Sequence, residues 1–99
     1  MSGYRLREKA ESDLADIWRY TARRWSARQA DKYLRDLFAA MDVIAAEPRH
    51  GRACDEIREG YRCSNVAAHV IFYRIEETGP VIVRILHARR DFRRHLPRS

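Results

Sequence analysis

The sequence predicts an α+β domain of two layers: an antiparallel helical hairpin packed on a mainly antiparallel sheet. Three observations predict it. Apolar residues recur at helical spacing in two stretches between Ala10 and Ala45. A Ser-x-x-Gln pattern, Ser26 to Gln29, separates the stretches and matches a capping box. Runs rich in β-branched and aromatic residues then dominate from Tyr61 to Leu86. The whole chain, 1–99, reads as one domain, since 99 residues support one modest core and no second domain.

Each element follows from its local pattern. Tyr4-Arg-Leu-Arg7 alternates apolar and polar, which predicts a short half-buried strand. Ala10, Leu14, Ile17, Trp18, Thr21, Ala22 and Trp25 share one helical face, with Asp13, Asp16, Arg19 and Arg23 on the other. This first helix is expected to end near Trp25. The second carries Ala30, Tyr33, Leu34, Leu37, Phe38, Met41, Ile44 and Ala45 on one face, and Pro48 marks its end. His50-Gly51 begins a loop. Tyr61–Ser64, His69–Ile75 and Val81–Leu86 are strand candidates, with Glu77-Thr-Gly-Pro80 as the turn between the last two. Three consecutive late strands predict an antiparallel meander, with the first strand joining the same sheet. The apolar stripe of the hairpin must lie on that sheet, because neither layer is stable alone. The polar tail from Arg89 to Leu96 is expected to form one helical turn or more.

Composition narrows the function classes. Four glycines and no Gly-rich loop exclude P-loop and dinucleotide fingerprints. No apolar run approaches the ~20 residues of a membrane span, and no secretory h-region opens the chain, so a cytoplasmic protein is expected. Cys54 and Cys63 lack metal-site spacing, and in a reducing compartment they read as small buried apolar residues. Twenty basic residues against fourteen acidic ones give a net charge of +6 and a pI near 9.9. The excess is concentrated: residues 1–48 carry nine basic and eight acidic side chains, and residues 49–99 carry eleven and six. A basic half of this kind points to an anionic partner, either nucleic acid or an acidic protein surface.

The residues also resemble a known family. Tyr4-x-Leu6, Ala10-x-x-Asp13-Leu14-x-x-Ile17, Tyr20 with Trp25, Gln29-Ala30-x-x-Tyr33, Pro48-x-x-Gly51-Arg52, Gly60-Tyr61-Arg62 and Val70-x-Phe72-Tyr73 occur in that order. They are followed by Arg84-Ile-Leu-His-Ala-Arg-Arg-Asp91 and Arg94-His-Leu96. This set resembles the ParE toxins of the ParE/RelE superfamily, from bacterial type II toxin–antitoxin systems. Two departures stand out. Arg90 occupies a position where the family commonly has Met, and Ser26 one where it commonly has Gly.

The resemblance implies the fold derived above, a cognate ParD-like antitoxin in a complex with two or more copies of each chain, and DNA gyrase as target. It implies action by binding, with no cofactor, no metal, no small-molecule substrate and no membrane. RelE relatives instead cut ribosome-bound mRNA, which needs a base, an acid and cations on the phosphate. Arg62 and Arg84, on neighbouring strands, supply charge, and His87 titrates near neutrality. Against catalysis stand the absence of a late tyrosine and of lysines beyond residue 33. The deciding question is whether Arg62, Arg84 and His87 converge on one concave surface. Arg84 has an alternative structural role, pairing with Asp13 or Glu59.

Candidate residues for target binding are therefore Arg62, Arg84, His87, Arg89, Arg90, Arg93 and Arg94. In the tail, Phe92 and Leu96 lie four apart and would anchor a turn that presents the arginines. Trp18, Trp25, Tyr33 and Phe38 on the helical stripes are candidates for antitoxin binding where they do not pack on the sheet.

Overall fold

The computed structural model describes residues 3–98. The elements are β1 (Arg5–Leu6), α1 (Glu8–Arg24), α2 (Ala27–Ala46), β2 (Arg52–Ala53), β3 (Arg62–Val66), β4 (His69–Glu76), β5 (Gly79–His87) and α3 (Phe92–His95). They form the expected α+β architecture: two long helices on a five-stranded sheet of order β1-β5-β4-β3-β2. β1 runs parallel to β5, and every other pairing is antiparallel.

The hairpin forms where its cap signal lies. The Gln29 N–H donates to Ser26 Oγ at 3.0 Å, so Ser26 starts α2 and fixes the two-residue connection. α1 begins at Glu8, two residues before its apolar face, and Arg7 is its N-cap. β1 is accordingly only two residues long. Trp25 is not part of the buried stripe. It is the C-cap of α1, with φ −124 and ψ −81, and the residue is 69% exposed.

Ala10, Leu14 and Ile17 of α1 and Leu37, Met41 and Ile44 of α2 meet Ile71, Tyr73, Ile82 and Ile85 in the core between helices and sheet. The alternation along β4 sends Val70 and Phe72 to the opposite face. There they join Cys54, Tyr61, Cys63, Val83, Leu86 and Leu96 in a second core, flanked by Ile57 and Phe92. This face is roofed by the 54–60 loop and by residues 92–97, which act as a strap. The strap is held by apolar contact, with Phe92 against Phe72 at a centroid distance of 4.8 Å. It is also held by Tyr61 Oη, which donates to the Pro97 carbonyl at 2.7 Å.

Two local features shape the rest. β5 carries an irregularity opposite Phe72 and Tyr73: Phe72 pairs Arg84 while Tyr73 pairs Ile82, which leaves Val83 as the extra residue. Ile82 and Ile85 stay on the helix face, and Val83 packs in the second core. The loop after α2 is pinned by Tyr73, whose hydroxyl donates to Pro48 O at 2.6 Å and accepts from Gly51 N at 3.0 Å. A Cβ at position 51 would lie 2.6 Å from that hydroxyl and 2.7 Å from Cys63 O, so only glycine permits this approach.

Candidate functional site

Arg84 sits at the edge of β5, where β1 has already ended. Its Nε donates to Asp13 Oδ2 and its Nη2 to Asp13 Oδ1, both at 2.8 Å. Its Nη1 donates to the His95 carbonyl at 3.2 Å. Asp13 raises the Arg84 pKa through this hydrogen bond. Arg84 thus joins helix, sheet and strap, which is the alternative role its sequence position suggested.

Arg62 lies elsewhere. It pairs Tyr73 across the β3–β4 ladder and donates through Nη2 to the carbonyls of Arg49, at 3.0 Å, and Gly51. Its buried Nε has no hydrogen-bond partner. His87 ends β5 and accepts from Arg89 N–H through Nδ1 at 3.1 Å. Its ring meets His69 edge-on at 5.3 Å. Arg62 lines a depression with Arg49 and Ile75, Arg84 lines a separate groove with Arg7 and Arg94, and His87 lines neither. The three residues an mRNA nuclease would use are therefore not brought to one concave surface.

His69 belongs to a small polar cluster between α2 and the sheet. The Tyr33 hydroxyl donates to Val66 O at 3.1 Å and lies 2.7 Å from His69 Nδ1. With the hydroxyl proton on Val66, the ring proton of neutral His69 is assigned to Nδ1. Burial, and then the neighbouring His87, push the His69 pKa down to about 4. Burial, and then the adjacent Cys63, push the Cys54 thiol up to about 12, and both cysteines are free and buried. Among the described residues, no group of three or more His, Cys, Asp or Glu side chains is placed to hold a metal.

The tail arginines divide into two groups. Arg93 is structural: its Nε donates to Ile57 O at 3.0 Å and its Nη2 to Glu56 O at 2.8 Å. Its own carbonyl accepts from Arg58 at 2.6 Å. Arg90 contacts the His95 ring, 3.1 Å from Nε2. Arg89 and Arg94 are exposed, and their guanidinium groups have no partner among the described residues.

The aromatic candidates also divide. Trp18 donates from Nε1 to Asp31 Oδ1 at 2.9 Å and ties α1 to α2. Tyr33 is half-buried against the core. Trp25 and Phe38 are exposed, as are Tyr20 and Val43 on the same helices. The Arg24 guanidinium lies 5.4 Å from the centre of the Trp25 ring. Tyr20 and Val43 were not among the candidates from sequence. Tyr20 had been visible only as part of a helix end, and Val43 sits one position off the predicted stripe.

A family model describing the ParE toxin of type II toxin–antitoxin systems, parDE, matches residues 4–92. This chain belongs to the ParE toxin family. It is 48% identical over 96 residues to Toxin ParE1 of Mycobacterium tuberculosis, covering 96% of this chain and 98% of that protein. Toxin ParE1 of Caulobacter vibrioides is 41% identical, with coverage of 97% and 99%. Toxin ParE of Escherichia coli is 33% identical, with coverage of 92% and 89%. A solved chain described as the chromosomal ParDE TA system from P. aeruginosa superposes with a TM-score of 0.77 at 17% identity, covering 85% of this chain and 92% of that one. The fold of this ParE-family chain is thus the fold of that structure. Among the described residues, no helix is long and apolar enough to cross a membrane.

Proposed function

We propose that this ParE-family chain is neutralised by a ParD-like antitoxin and, when released, arrests growth by binding DNA gyrase in the cytoplasm without catalysis. The observation that carries the binding reading is the separation of Arg62, Arg84 and His87. All three are engaged by the chain's own groups, while Arg89 and Arg94 are exposed and their guanidinium groups have no partner among the described residues. Cations placed this way suit an acidic protein surface or DNA held by an enzyme. The antitoxin docks on the helical hairpin, where Tyr20, Trp25, Phe38 and Val43 expose apolar surface. Acidic residues on it speed association with the basic half of the chain. The assembly holds two or more copies of each chain.

Inducible expression without antitoxin, followed by supercoiling and cleavage assays on purified gyrase, tests this reading. Inhibited supercoiling with trapped cleaved DNA and intact transcripts is the expected result. Unaffected gyrase with transcripts cut on the ribosome overturns it in favour of an mRNA endonuclease. For the antitoxin surface, Trp25→Ala is expected to weaken copurification with the antitoxin while leaving the fold intact.

A further inference from the structure

A groove of about 440 Å³ runs between the start of α1 and the C-terminal strap. Its volume lies within the ~300–1,000 Å³ range of small-molecule sites. Arg7 and Lys9 line it from the start of α1 and Arg94 from the strap, and Val83, Leu96 and Pro97 also belong to the lining. Lys9 and Arg94 make no ion pair among the described residues, and Arg7 makes only a 3.5 Å contact with Glu76. Glu8 is the one acidic residue in the lining. His95, also in the lining, has its pKa lowered by burial and then by the nearby Arg90, Arg84 and Arg94 cations.

We propose that this groove binds the phosphate of a nucleotide unit, either a free nucleotide or one within a DNA strand. A carboxylate presents two oxygens in one plane. A phosphate presents oxygens around a tetrahedron, which suits cations arriving from both the start of α1 and the strap. The exposed ring of Pro97, backed by the buried Val83 and Leu96, offers contact for sugar or base, which a bare inorganic anion would not use. The site is a property of this chain alone and stands whether or not gyrase is the target.

The test uses the full chain, refolded without antitoxin, titrated by NMR with deoxyadenosine monophosphate, inorganic phosphate and a short DNA duplex. The nucleotide is expected to shift the His95 ring resonances and raise the His95 pKa. Lys9→Gln and Arg94→Gln are each expected to weaken binding about tenfold, a change of about 1.4 kcal/mol. Both residues are exposed, so circular dichroism should be unchanged. Arg98→Ala, outside the groove, serves as the control and should bind as the parent does. Tighter binding of the duplex with the same residue dependence assigns the DNA strand as source. Nucleotide binding without duplex binding assigns the free nucleotide. The proposal is overturned by silence with both nucleotide and duplex, by binding insensitive to Lys9 and Arg94, or by inorganic phosphate binding as tightly as the nucleotide.

Discussion

Asp13 and Arg84, 71 residues apart, form a two-point ion pair at the edge of β5, with both contacts at 2.8 Å. The same carboxylate accepts from the Ile85 N–H at 2.9 Å. It therefore satisfies a strand edge that β1, ending at Leu6, no longer covers. The two side chains are only 12–13% exposed, so solvent screens them little.

Removing one partner leaves the other charge stranded. Asp13→Ala is expected to destabilise the fold by about 3 kcal/mol. Arg84→Lys should recover only part of an Arg84→Ala loss, because an ammonium cannot reproduce the two-point geometry. Urea denaturation monitored by far-UV circular dichroism measures both. An Asp13→Ala midpoint equal to the parent's would remove the structural role assigned here.

The tail arginines should separate by assay. Arg93→Ala is expected to cost about 1–2 kcal/mol, since it releases charged hydrogen bonds to two loop carbonyls. Arg89→Ala and Arg94→Ala should stay within about 0.5 kcal/mol of the parent. The two exposed variants should nevertheless lose growth arrest on induction. Full growth arrest in both would place the target contacts elsewhere.

Acid should weaken the fold through His69. At pH 7 the ring is neutral both folded and unfolded. Below about 6.5 the unfolded ring takes a proton that the folded ring refuses until about pH 4. The unfolded state then binds more protons, so stability falls as pH drops through that window. Urea midpoints at pH 7 and pH 5 measure the slope, and His69→Phe should flatten it. An equal slope in the variant would assign the pH dependence to other groups.

Gly51→Ala tests the close approach at Tyr73. The added methyl group meets the Tyr73 hydroxyl and the Cys63 carbonyl, and it should cost about 1–3 kcal/mol. Thermal denaturation reads this as a drop of several degrees or more. An unshifted midpoint would mean that the 48–51 loop moves aside freely.

The helical hairpin was legible because its signals are local. The 3.6-residue period spans both helices, and the Ser26 cap lies between them. The β4–β5 hairpin was legible from composition and its turn residues. β2 was missed because two residues carry no pattern, and Arg52 and Ala53 become a strand only through pairing with Arg62 and Cys63. The second core was missed for a related reason. Cys54, Tyr61 and Leu96 are scattered along the chain and meet only once the sheet exists. Phe92 and Leu96 did read as a shared anchor, and both pack on that face. Trp25 was misplaced because its spacing continues the stripe while its backbone has left the helix. The capture of loop carbonyls by Arg93 has no sequence signature, since an arginine that binds carbonyls and one that faces solvent look alike.

The strand order β1-β5-β4-β3-β2 also carries a meaning in time. Among the described residues, the first strand made has its only partner in the last, through Arg5 with Val81 and Leu6 with Ile82. While the chain is still being translated, the hairpin has no finished floor to lie on and Asp13 has no Arg84 to hold. Contacts this distant in sequence form late. The sheet is therefore complete only once β5 has been made, and a product truncated before that strand lacks the partners of both β1 and Asp13.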